Sequence, residues 1–166
     1  MAYYFSLEGP AMQAYREMLA DLKAKAMQEL RVSEDEITVR MLRPEDLGLA
    51  NPEWTFNLAA ADAWNTSMVT TTIGDNRFVG INGILVEESG AQAGLQLKVV
   101  RMGQTKRYWH IQGANTLESP TIFFDDPIII DQNTPLVIDI YATAVDADFR
   151  LCFLGAVAEK KGILTQ

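Results

Sequence analysis

Apolar and polar positions repeat with one period before residue 31 of this chain and with another after residue 53. In the first region the apolar residues are spaced at three and four positions, as on one face of an amphipathic helix. They are Met12, Tyr15, Met18, Leu19, Leu22, Ala26 and Leu30. Because proline suits the first helical turn, the sequence predicts an N-terminal helix from about Pro10 to Leu30.

After Glu53 the pattern changes to short apolar runs, rich in β-branched and aromatic residues and separated by Asp, Asn, Gly and Pro. The predicted strands are Trp54–Leu58, Ser67–Ile73, Arg77–Glu87, Leu95–Met102, Arg107–Gln112, Thr121–Ile130, Leu136–Thr143 and Phe149–Ala158. The β-branched residues of Ile37–Met41 favour a further strand there. About eight strands without intervening helices predict a mainly β protein, an antiparallel β-sandwich of jelly-roll type.

The expected organisation is one compact unit. Residues 1–50 would supply an N-terminal arm, the helix and a connecting segment, and residues 51–166 the β-sandwich. With 48% apolar and 22% charged residues, the composition is that of a globular protein. A net charge of -8 without a basic cluster argues against direct nucleic-acid binding. No apolar run approaches the ~20 residues of a membrane helix, and the first residues lack the pattern of a secretory signal.

Reactive side chains are few. Alternation along the strand places Trp109 and Ile111 in the core and leaves Tyr108 and His110 on the outer face. As the only histidine, His110 cannot build a multi-histidine metal site, and no serine-nucleophile motif accompanies it. Cys152, the only cysteine, is predicted to be a core thiol. We therefore expect that the protein has no catalytic residues, binds no cofactor or metal, and is not an enzyme.

Three alternatives stay open. Two carboxylates alone can run a glycosidase, and this chain offers Glu53, Glu87, Glu88, Asp125, Asp126, Asp139, Asp146 and Asp148. The aspartates near residues 125 and 147 suit calcium as well as turns, and the turn interpretation is favoured. Aromatic residues that could form a sugar platform are Trp54, Phe56, Trp64, Tyr108 and Trp109.

Both ends of the chain carry apolar residues. Tyr3, Tyr4 and Phe5 precede the helix, and Ile163 and Leu164 follow the last strand. Such arms either dock on a neighbouring subunit or fold back onto their own domain, and the sequence does not choose between these two arrangements. We name these five residues as expected assembly contacts.

The segment from Ile128 to Ile140 has a strand–turn–strand texture, Ile-Ile-Ile-Asp-Gln-Asn-Thr-Pro-Leu-Val-Ile-Asp-Ile. Together with the N-terminal arm and helix and the run of strands, it resembles the single jelly-roll coat or decoration (cement) proteins of icosahedral double-stranded DNA viruses. The resemblance is architectural and brings no site residues with it.

The resemblance implies a structural capsid subunit of the virion, synthesised in a host cytoplasm. Such a subunit would form dimers or trimers and assemble with other capsid proteins through edge strands and terminal arms. A carbohydrate- or receptor-binding module is the first alternative. A carboxylate-based hydrolase is the second.

Overall fold

A computed structural model describes residues 3–4, 7–87 and 92–162, with only the backbone of Tyr3, Tyr4 and Lys106. The helix α1 spans Pro10–Leu30, which confirms the predicted element. It begins after Gly9, which has a φ of 49°, and it ends at Arg31, whose N–H donates to the carbonyl of Met27. Its buried face consists of Ala11, Ala14, Met18, Leu22 and Ala26.

Ten strands are described, and short 3-10 turns at Glu34–Glu36, Pro44–Leu47 and Ala114–Thr116 lie between them. The strands are β1 (Tyr3–Tyr4), β2 (Ile37–Met41), β3 (Thr55–Leu58), β4 (Ala63–Thr72), β5 (Arg77–Val86), β6 (Gly94–Arg101), β7 (Gln104–His110), β8 (Thr121–Ile130), β9 (Pro135–Ala142) and β10 (Asp146–Lys160). No helix in the described ranges has the length and apolar character to cross a bilayer.

The strands form two antiparallel sheets. One has the order β1-β8-β5-β10-β2, with β3 also paired to β10, and the other has the order β4-β9-β6-β7. The pairs β3·β10, β4·β9, β5·β8 and β6·β7 are nested, as in one long hairpin rolled into two sheets. This topology is the jelly roll, so the predicted sandwich is confirmed. The domain division at residue 51 stays a prediction, although β1 and β2, which precede it, belong to the six-stranded sheet.

The main core lies between the two sheets. Trp109 is fully buried there and stacks on Phe124 at 4.3 Å between ring centres. Ile111 is also buried while Tyr108 and His110 are exposed, so the predicted alternation is confirmed.

Tight turns hold the hairpins. Met102 and Gly103, at the tip between β6 and β7, both have positive φ, which matches the right-handed twist of the flanking strands. At the turn between β4 and β5, both Gly74 and Asn76 are suited to positive φ by residue type. Only Asn76 has it, at 60°.

A second core lies between α1 and the outer face of the six-stranded sheet. Met18 and Leu22 pack there against Phe78 and Ala156. The helix approaches the sheet so closely that a Cβ on Gly80 would lie 2.8 Å from the Met18 sulfur. This packing covers part of the outer face and leaves the rest of it open.

Two features cover the edge of β8 in the six-stranded sheet. β1 pairs with its first half, opposite Phe123 and Phe124. Further along, Arg107 Nη1 donates to the carbonyl of Asp126 at 2.8 Å, and Arg101 Nη1 donates to that of Ile129 at 3.0 Å. Pro127, between these carbonyls, has no N–H to offer. This edge therefore has little capacity for another strand.

Candidate functional site

An apolar groove runs between α1 and β2. We call it the α1–β2 groove; it has a volume of about 540 Å³, and Tyr15, Leu19, Val39, Met41 and Ala156 are among its lining residues. Val39 and Met41 lie opposite Ala158 and Ala156 of β10, so they share the outer face of the sheet with the helix. Because α1 covers only part of this face, the apolar side chains beside it stay accessible.

The groove continues into a second cavity of about 300 Å³, which also contacts Tyr15 and Met41. Its other apolar walls include Trp54, Phe123 and Leu154. Met41, at the junction of the two, is 78% exposed, the most exposed of the large hydrophobic side chains in the described ranges. A continuous apolar surface with an exposed methionine at its centre is typical of a protein–protein contact.

The backbone of β2 is open on the side away from β10. Leu42 N donates to the carbonyl of Gly155 at 3.1 Å, and Lys161 N donates to that of Glu36 at 2.7 Å. Since antiparallel ladder bonds alternate along a strand, the backbone of Val39 and the N–H of Met41 face outward. Within the described residues β2 is the last strand of its sheet, so these groups are available to a strand of another chain.

A largely buried ion network fixes β2 in place. Arg40 donates from its two terminal nitrogens to both carboxylate oxygens of Asp46, each at 2.7 Å, and from Nε to Glu159 at 2.9 Å. Arg77 Nε lies 3.1 Å from the other oxygen of Glu159. The hydrogen bonds to Asp46 raise the pKa of Arg40 above its usual range, although partial burial opposes them. The network ties β2 to β10 through Glu159 and to the turn after β2 through Asp46.

Cys152 lines the second cavity and is not fully buried. Burial, and secondarily the charge of Glu87, raise the pKa of its thiol to about 11. The predicted core position is therefore wrong in detail, because Cys152 lies on the outer face of β10, where α1 does not cover the sheet. A thiol with this pKa is a poor nucleophile near neutrality.

The opposite side of the sandwich, the outer face of the four-stranded sheet, carries an aromatic cluster. Trp64, Tyr108 and Tyr141 come from β4, β7 and β9, and the ring of Trp64 lies 5.5 Å from that of Tyr141 and 6.0 Å from that of Tyr108. Lys98 Nζ lies 4.8 Å from the centre of the Trp64 ring. Of the other aromatics considered for a sugar platform, Phe56 and Trp109 are core residues, and Trp54 packs against Phe153 at 5.7 Å.

The remaining predicted chemistry is dispersed. Glu53 and Glu87 line one cavity with Arg150, and all three side chains are solvent-exposed. Asp126 accepts a hydrogen bond from Arg107 at 2.6 Å. Asp146 accepts one from the N–H of Asp148 at 2.9 Å. Both groups of aspartates lie within strands, β8 and β10, so the prediction that they form turns between strands is wrong. The Asp146–Asp148 hydrogen bond lies at an irregularity of β10, where its register with β3 shifts. In the part of the chain that the structure describes, no three His, Cys, Asp or Glu side chains are grouped to hold a metal ion.

The terminal arms are described only in part. Tyr3 and Tyr4 pair through their backbones with Phe124 and Phe123 of the same chain. Phe5, Ile163 and Leu164 lie outside the described residues. The role of the arms as assembly contacts stays a prediction. Neither Met41 nor the α1–β2 groove was among the predicted contacts. The walls of the groove come from segments that are far apart in the sequence.

No family model and no curated protein matches the chain. Among solved structures, the VP2 subviral particle of infectious bursal disease virus is similar over 75% of this chain and 32% of VP2, with 14% identity and a TM-score of 0.36. A ruminal GH26 endo-β-1,4-mannanase is similar over 75% of this chain and 26% of the mannanase chain, with 8% identity and a TM-score of 0.30. The chain thus spans about a third of VP2, and the similarity to this viral capsid protein is weak and architectural.

Proposed function

We propose that this protein is a non-enzymatic structural subunit of a viral capsid, a small coat or decoration protein that assembles with copies of itself and with other capsid proteins. The observation that carries the proposal is the α1–β2 groove beside the open edge of β2, with Met41 78% exposed between them. A surface that offers both apolar area and unpaired backbone suits a partner that presents the same two features.

A second copy of the chain meets that requirement. Its own β2 carries outward-facing backbone groups along the edge of the sheet, and the side chains of its Met41 and Val39 lie on the outer face beside that edge. Edge pairing would satisfy the backbone, and the apolar side chains would leave water together. Full burial of one such side chain stabilises by about 1.5–3 kcal/mol, which corresponds to about a tenfold or greater change in affinity.

The experiment is to measure the solution mass by light scattering coupled to size exclusion, on the wild type and on Met41→Glu. The wild type is expected to be a dimer, a trimer or a larger assembly. Met41→Glu is expected to shift it toward the 18.5 kDa monomer by at least about tenfold in dissociation constant. Because Met41 is exposed in the single chain, the variant should keep the β-sheet circular dichroism of the wild type.

Met102→Glu is the matched control. Met102 is 67% exposed at the tip of the β6–β7 hairpin, away from the groove, and it receives the same substitution. A wild type that is monomeric at every concentration contradicts the proposal. So does an assembly that Met41→Glu and Met102→Glu weaken equally.

A further inference from the structure

We propose that the outer face of the four-stranded sheet binds a neutral saccharide on the cluster of Trp64, Tyr108 and Tyr141. This site lies on the opposite side of the sandwich from the α1–β2 groove. It therefore stands independently of the proposed capsid role.

The three rings are held in one arrangement by the register of the strands. Trp64 lies directly opposite Tyr141 across the β4–β9 pair, and Tyr108 lies opposite Lys98 across the β6–β7 pair. Ring planes inclined at 74° and 57° to that of Trp64 place Tyr141 and Tyr108 against it as supports. Rings fixed in this way are pre-organised, so a ligand need not order them on binding.

The Tyr108 ring faces solvent, and the rings of Trp64 and Tyr141 are partly accessible. Tyr108 is 49% exposed and is the only tyrosine among the exposed large hydrophobic side chains of the described ranges. Trp64 and Tyr141 are half-buried. The core needs none of the three, since Trp109 and Phe124 fill the space behind this sheet. Exposed aromatic rings of this kind offer an apolar surface to the C–H side of a sugar ring.

Polar groups surround the rings and indicate an uncharged ligand. Lys98 Nζ lies 2.8 Å from Asp139 Oδ2, and the other oxygen of Asp139 accepts the Ser67 N–H at 2.8 Å. The only cation described over Trp64 is therefore already neutralised. Gln96 Nε2 lies 3.3 Å from His110 Nε2 at the surface, so an amide and an imidazole lie where they can form hydrogen bonds with sugar hydroxyl groups. Among the described side chains beside the rings, Lys98 is the cation and it is already paired with Asp139, so the site favours a neutral sugar over an anion.

The test is a titration of intrinsic tryptophan fluorescence with neutral tetrasaccharides of glucose, mannose, galactose and N-acetylglucosamine, with sialyllactose as the charged comparison. A saturable change is expected with at least one neutral sugar, and it should be lost in Trp64→Phe. This variant isolates the signal because Trp109 is buried and Trp54 packs on the core. Tyr108→Ala should weaken the affinity about tenfold, the value of one aromatic contact.

Thr70→Ala is the control, since Thr70 is exposed on β4, beyond the rings. It should bind as the wild type does. Tyr108→Thr, which keeps the strand preference of a β-branched residue, replaces Tyr108→Ala if the alanine variant fails to fold. The proposal is overturned if none of the neutral sugars changes the emission, if only sialyllactose binds, or if the folded Tyr108 variant binds with wild-type affinity.

Discussion

Arg40 is the residue whose replacement tests most directly how the open edge strand is held. Its side chain is 14% exposed, and its partners Asp46 and Glu159 are 4% and 8% exposed. Arg40→Met removes the guanidinium but keeps much of the aliphatic stem. The buried carboxylates of Asp46 and Glu159 then lose their main cationic partner.

The size of the stability loss depends on which hydrogen-bond and ion-pair partners each carboxylate retains. Breaking a buried pair by removing one partner costs about 3–5 kcal/mol when the remaining charge is uncompensated. Here Glu159 keeps Arg77 at 3.1 Å, and Asp46 keeps the N–H of Arg43 at 2.9 Å. We therefore expect the lower end, a loss of about 3 kcal/mol in the free energy of unfolding. For a domain of this size that corresponds to a fall of about 6–12 °C in the melting temperature.

Urea unfolding followed by circular dichroism measures this loss, with Lys23→Met as the matched control. Lys23 pairs with Glu34 at 2.6 Å, but their side chains are 40% and 67% exposed, so water and salt screen the pair. Lys23→Met should stay close to the wild type. Arg40→Lys should fall between, since lysine keeps the charge without the planar fork that Asp46 receives. Equal losses in Arg40→Met and Lys23→Met would refute the reasoning.

Two further predictions concern the thiol and the N-terminal arm. Since burial and the Glu87 charge raise the pKa of Cys152 to about 11, its alkylation rate by iodoacetamide should keep rising up to about pH 11, and Glu87→Gln should lower the inflection. The folded state favours the neutral thiol, so the free energy of unfolding should fall as the pH rises from the pKa of the unfolded thiol toward 11. A plateau of the alkylation rate near pH 9 would contradict the raised pKa. Deletion of residues 1–6 should weaken oligomers but leave β-sheet circular dichroism intact, because within that segment only the backbone pairing of β1 with β8 is described. An unchanged sedimentation profile would count against a role of the arm in assembly.

Local pattern was sufficient for most elements of this fold. The α1 helix and β8 have the predicted limits, because the helical period and the bounding Pro120 and Asp131 are signals within the segments themselves. The start of β4 was predicted at Ser67, whereas the strand begins at Ala63. Ser67 has a φ of 57° and lies where the β4–β9 register shifts, so an irregularity hid the first part of the strand.

The two surfaces differ in how far the sequence reveals them. Alternation along β7 placed Tyr108 outward, because a period of two is a property of one strand. Met41 could not be recognised in the same way. Its neighbours in the groove, Tyr15 on α1 and Ala156 on β10, come from distant parts of the chain, and only the packing of the helix on the sheet brings them together.

The blocked edge along β8 limits the geometry of any lateral contact between copies. Among the described strands at the ends of the six-stranded sheet, β2 has five residues and β1 has two, so β2 offers the longer edge, and two copies that join through equivalent edges would both contribute β2. Such a contact is isologous, with a two-fold axis between the subunits, and it is complete once the pair has formed. The β2 edges, once paired in this way, offer no free strand for further extension. A lattice or shell built from such pairs must grow through a different surface. The contact that forms the dimer and the contact that joins dimers into a lattice are therefore different.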